Sequence, residues 1–212
     1  EAALDLGRIG GSAVQPALSK ALGSPDARVR RATALALGHA GEASAADTLR
    51  RTVETEKAED VVAAAEISLG RLRAPGAKDF LVRQLRRESR WWDSVRLGAL
   101  MGLGKLGDPS LASTFAKYTA PGYVQEVRIA AMTGWEGAAP EDPAFAADLR
   151  RLPSDRNRSV RLAAIQKLGK LHRAEDLPLL EALQKDPDPS VVVFATDGID
   201  EYRSFAKTAA KP

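Results

Sequence analysis

A valine recurs along this chain at a nearly constant spacing, and each copy opens the same local pattern. Val29, Val61, Val95, Val127, Val160 and Val191 are separated by 32, 34, 32, 33 and 31 residues. A repeat of this length makes a single closed core a poor solution. Each unit buries its apolar face only by stacking on the next, which is the logic of a solenoid. Eight residues after each valine stands a large apolar residue: Leu37, Leu69, Leu103, Trp135, Leu168 and Ile199. Three and four residues after it the side chains are mostly small, as in Ala64 and Ala65 or Ala163 and Ala164. Those offsets lie on one face of a helix. The pattern therefore predicts a helix at every copy, with a smooth face turned into the stack.

Between these helices lie further amphipathic stretches, at 13–22, 45–53, 77–85, 110–118, 144–152 and 176–183. Turn residues separate the two kinds of segment, as in Ser24-Pro25-Asp26 and Gly107-Asp108-Pro109. Each unit is then two antiparallel helices. The units expected are a partial one at 1–10, then 11–41, 42–73, 74–107, 108–138, 139–172 and 173–203. Together they make one domain over 1–203, followed by a frayed tail at 204–212. The sixth unit carries Phe194 in a small-residue slot. That reads as a terminal unit whose far face meets the tail around Tyr202 and Phe205. At the other end, residues 1–10 match only the end of a repeat helix, with Leu6-Gly7 standing where Leu37-Gly38 falls in the next copy. The expectation is a domain excised from a larger protein.

The motif Val-Arg-x-x-Ala-x-x-Ala-Leu-Gly-x-Leu-Gly, read in Val29–Gly41 and Val95–Gly107, resembles HEAT-like repeats of the phycobilisome-lyase and armadillo type. The resemblance implies an all-α, right-handed α-α superhelix of about six helix pairs plus the partial N-terminal unit. It does not imply one activity, because such repeats serve in scaffolds, regulators and a few enzymes.

Composition narrows the chemistry. The 212 residues contain no cysteine, which excludes disulfides, thiolate metal sites and thiol catalysis. No apolar run approaches membrane-spanning length, so no membrane insertion is expected. The net charge of +3 is too small to imply nucleic acid by itself. Basic residues cluster at 71–96 and 150–173. Glu59, Asp60, Glu66, Asp197 and Asp200 interrupt them and read as solvated surface charges.

The two histidines have structural explanations. His39 shares its slot with Arg8, Arg71, Lys105 and Lys170, in the last turn of the repeat helix, where a cation faces the negative end of the helix dipole. His172 shares its slot with Gly10, Gly41 and Gly107, a C-cap position that favours a left-handed backbone. Neither belongs to a metal-ligand or acid–base motif. Arg30, Arg96, Arg128 and Arg161 follow the repeat valine and are expected to pair with acidic groups such as Asp26, Asp93 or Asp155.

The expected function is non-catalytic protein–protein interaction. The partner is another protein or another domain of the same polypeptide, and no catalytic residue, metal or cofactor is assigned. Three alternatives come from the resemblance: a DNA-binding enzyme of the alkylpurine glycosylase type, a bilin-lyase-like chaperone, and a C-terminal accessory domain of a larger hydrolase such as a zinc aminopeptidase. Trp91, Trp92, Asp93 and Trp135 are what bring the glycosylase to mind, whereas the patchy charge argues against nucleic acid. For binding, one row stands out. Four residues before the repeat valine stand Trp91, Tyr123 and Arg156, with Trp92 alongside. Equivalent positions of a solenoid line up along one edge, and these residue types dominate binding hot spots.

Overall fold

The computed structural model describes residues 2–11, 13–87 and 93–209. The described chain forms two compact units that divide between Ala139 and Pro140. The first contains α1 (Ala2–Ile9), α2 (Gln15–Ala21), α3 (Ala27–Ala40), α4 (Ala46–Thr55), α5 (Glu59–Leu72), α6 (Ala77–Gln84), α7 (Ser94–Leu106), α8 (Ala112–Thr119) and α9 (Gln125–Ala138). The second contains α10 (Pro143–Arg151), α11 (Arg158–Lys170), α12 (Leu177–Leu183) and α13 (Pro189–Ala209). Among the described residues no strand is present, and no helix is long and apolar enough to cross a membrane. The fold is an all-α HEAT-like solenoid in which shorter even-numbered helices pack on longer odd-numbered ones. In the first unit each odd-numbered helix also packs on the next, from α1 to α9. In the second unit α11 packs on α13 in the same way.

The repeat pattern explains this packing. The residue eight after the valine is buried in every copy, including Trp135 at 2% exposure. The even-numbered helices fill the other side of the core with Leu18, Leu49, Leu81, Phe115, Leu149 and Leu180. Five of the six repeat valines are buried. Val29 is 40% exposed because α1, with eight residues, reaches Ala36 but not the N-terminal turn of α3.

The residue after the core leucine makes the closest approach. A Cβ placed on Gly38 would lie 2.5 Å from Ser68, and one on Gly104 would lie 2.5 Å from the Cα of Gly134. One on Gly169 would lie 2.6 Å from the Cα of Gly198. One on Gly70 would overlap the Gly102 carbonyl. In each case the residue nine after one repeat valine meets the residue seven after the next.

Hence Gly104→Val is expected to cost about 3 kcal/mol or more, the upper end for overpacking. Gly76 has room, with the nearest atom, Arg50 Nη2, at 3.7 Å from a built Cβ. Its φ of 71° is left-handed, however, so Gly76→Val still costs about 1–2 kcal/mol through the backbone. Urea unfolding should rank Gly104→Val as the weaker protein, and equal midpoints would remove the packing argument.

The arginines that follow the repeat valine do more than pair with carboxylates. Arg30 donates to the carbonyls of Ser24 and Pro25, Arg96 to that of Leu85, Arg128 to that of Thr119, and Arg161 to those of Asp155 and Arg156. Each guanidinium therefore satisfies carbonyls left over where the preceding short helix ends. Of the acidic partners expected, Asp93 pairs with Arg96. Arg30 instead takes Glu56 at 2.7 Å, and Arg161 lies 3.6 Å from Asp188. Asp188 accepts from Arg158 and from the Ser190 amide, which lowers its carboxyl to about 2.

Three features differ from the sequence reading. The tail is helical through Ala209, because Phe205 stacks on His172 with ring centroids 4.5 Å apart. Phe194 does not meet that tail. It lies half-buried in a recess with Gln166 and Lys170. Glu66 is not a surface charge but fully buried in α5, and neither carboxyl oxygen has a hydrogen-bond partner. Its Oε2 sits 2.5 Å from where a Gly98 Cβ would be, so the glycine on α7 makes room for it. Burial pushes this carboxyl well above the usual range, against a weaker opposing pull from Arg87.

Candidate interaction surface

The faces of α3, α5 and α7 that are not turned into the core line a groove of about 310 Å³. Two positions of the repeat build it. The residue two after the valine contributes Arg31, Ala63 and Leu97, and the residue six after it contributes Leu35, Ile67 and Met101. The two positions are one helical turn apart, so their side chains share a face. The floor is apolar. Asp60 and Ser94 line its rim at the N-terminal ends of α5 and α7.

One turn further along the same face stands a basic row of His39, Arg71 and Lys105, of which Arg71 and Lys105 are the cations. His39 is held below its ordinary value by partial desolvation first, and then by the nearby Arg71 and Arg8 charges. The row is thus a spatial neighbourhood as well as a sequence slot. Arg8 has an exposed carboxylate, Asp5, at 3.5 Å. Arg73 Nε donates to the Lys105 carbonyl at 3.4 Å.

A second concavity, of about 400 Å³, is lined by Leu22, Ser24, Arg30, Thr52, Glu56 and Lys57. It is polar, and the Arg30–Glu56 ion pair and the carbonyls that Arg30 caps account for its residues. No group of three or more His, Asp or Glu side chains able to hold a metal occurs among the described residues.

Of the row at the turns, Trp91 and Trp92 lie outside the described residues. Tyr123 is half-buried, with its ring 4.8 Å from that of Tyr118 and 5.9 Å from the Arg96 guanidinium. Arg156 is exposed and lies in the second unit. Trp135 is buried and cannot stack on a ligand. The groove is what sequence reading missed. Its signal was an apolar residue six positions after the valine in three successive copies, Leu35, Ile67 and Met101, more than those helices need for their core.

Residues 1–70 match the family model for HEAT repeats. Among solved structures, a chain from the complex of CpcE and CpcF of phycocyanin lyase from a Nostoc species is similar at 23% identity and a TM-score of 0.59. That match covers 93% of this chain and 79% of the other. Human deoxyhypusine hydroxylase, solved with glycerol, is similar at 20% identity and a TM-score of 0.49, over 95% of this chain and 78% of that one. Comparison with curated proteins gives no match. The likeness to the lyase chain shows the fold alone.

Proposed function

We propose that this chain is a protein-interaction module without catalysis of its own, and that the groove on α3, α5 and α7 is its docking surface. The observation that carries this reading is the line of half-buried Leu35, Ile67, Leu97 and Met101 on a face that no other helix covers among the described residues. Stacked helices hold these side chains on a rigid scaffold, so little ordering entropy opposes binding. The partner is another protein or another domain of the same polypeptide. Secondary contacts are proposed at Trp91, Trp92 and Tyr123 on the first unit and, separately, at the exposed Arg156 on the second. The glycosylase reading loses one of its aromatic residues with Trp135 buried.

Immobilised wild type and Met101→Glu test the proposal by the proteins each retains. Met101→Glu should lose the specifically retained species and keep the helical circular-dichroism signal. Identical retention by the two would overturn the groove. In the same assay Trp91→Ala should weaken capture by about 2 kcal/mol if the edge contributes a hot spot.

A further inference from the structure

The cations beside the groove are poorly partnered. Arg71 and Lys105 have no carboxylate partner among the described residues, and Arg71 Nη1 is buried with no hydrogen-bond acceptor. A cation in the last turn complements the helix dipole. That accounts for the residue type at this slot. It does not account for a buried guanidinium nitrogen left without an oxygen, which carries a desolvation cost until an acceptor arrives.

The geometry ties this row to the groove. Leu35 and His39, Ile67 and Arg71, and Met101 and Lys105 are each four residues apart on one helix. Each pair therefore presents an apolar and a basic side chain on the same face, in the same order, on three stacked helices, with the charge carried by Arg71 and Lys105. The result is an apolar stripe bordered along one side by positive charge. At helix-packing distances of about 10 Å the stripe runs about 20 Å across the three helices. Roughly four turns of a partner helix cover that length.

We propose that the groove takes an acidic amphipathic helix of a partner protein. Its apolar face lies over Leu35, Ile67, Leu97 and Met101, and its carboxylates meet Arg71 and Lys105. The inference rests on the groove reading above and adds the partner's chemistry. A helix of this kind supplies both surfaces at once, with an acidic flank beside an apolar face. Nucleic acid would use the cations but leave the apolar stripe unmatched.

Two synthetic helical peptides of about 18 residues, roughly five turns, make the test. Both carry leucines on one face. One has glutamates along the adjoining flank, and the other has lysines there. Binding to the full chain is read by fluorescence anisotropy. The glutamate peptide should bind at least about tenfold tighter than the lysine peptide and weaken as salt is raised. Arg71→Gln and Lys105→Gln should each weaken the glutamate peptide by roughly fivefold or more, without weakening the lysine peptide. Met101→Glu should abolish binding of both.

Equal affinity for the two peptides, with both lost on Met101→Glu, would keep the groove and overturn the acidic partner. Binding of either peptide unaffected by Met101→Glu, or no binding of either, would overturn the groove and this inference with it. Displacement of the glutamate peptide by a single-stranded DNA oligonucleotide that depends on Arg71 and Lys105 would make the row a nucleic-acid site and overturn the proposal. If a glutamine variant fails to fold, the two-peptide comparison on wild type still decides.

Discussion

Replacing Gly70 with alanine is expected to unfold the first unit at temperatures the wild type withstands. A Cβ on Gly70 overlaps the carbonyl, the carbonyl carbon and the Cα of Gly102, all of them backbone. No flexible side chain stands there to move aside, so α5 and α7 must separate. These two helices sit in the middle of the first unit's stack, and each packs against a neighbour on its other side. Overpacking usually costs about 1–3 kcal/mol and sometimes more. The better helix propensity of alanine returns about 1 kcal/mol. A net loss of about 3 kcal/mol is expected here, because the overlap is with backbone on the facing helix. Gly23→Ala is the matched control, since its nearest atom lies 3.3 Å from a built Cβ and belongs to a helix end. Urea midpoints that fall equally for the two variants would show that the close approach is not under compression.

The second large effect concerns Glu66 and has a sign that depends on pH. Its carboxyl is pushed well above the usual range by burial. Over the interval between the ordinary carboxylate value and this raised one, the folded chain holds a proton that the unfolded chain has released. Stability then falls as pH rises, by about 1.4 kcal/mol per pH unit inside that interval. The groups facing the carboxyl are the backbone at Gly98 on α7 and, at longer range, the Arg87 guanidinium. Arg87 Nη1 donates to the Val53 carbonyl at 2.8 Å. Glu66→Gln removes the titration and keeps the shape. The variant should match the wild type near the ordinary carboxylate pKa and exceed it increasingly as the pH rises above that value. Parallel thermal-midpoint profiles for the two proteins across this range would mean that the carboxyl finds a compensating partner.

Much of the architecture is written in the repeat. The valine spacing, the large apolar residue eight positions on and the cations of the last helical turn were all readable, and the helices lie where these patterns put them. The left-handed backbone at Gly41, Gly107 and His172 was readable too, with φ of 77°, 68° and 51°. What was not readable has physical reasons. The arginine ladder is anchored largely on carbonyl oxygens, which every residue carries and which leave no mark in the sequence. Glu66 was read by its type rather than its slot. The residue five after the valine is Ala34, Leu100, Met132 or Ile165 in four of the other five copies, all four buried, and a carboxylate there points to burial. The groove escaped because its residues continue the apolar face of each helix, so one stripe on the sequence serves two surfaces.

The Gly–small joints have a further consequence, for the order in which the chain assembles. The meeting residues are 30, 32, 30 and 29 positions apart at Gly38–Ser68, Gly70–Gly102, Gly104–Gly134 and Gly169–Gly198. Each joint therefore closes a loop of one helix pair and no more. Short loops close at low entropic cost, and contacts that are local in sequence fold fast. A ribosome that has released one helix pair has released everything the next joint requires. Docking keeps pace with synthesis, and the apolar face of each pair is exposed only for the time needed to make about thirty more residues.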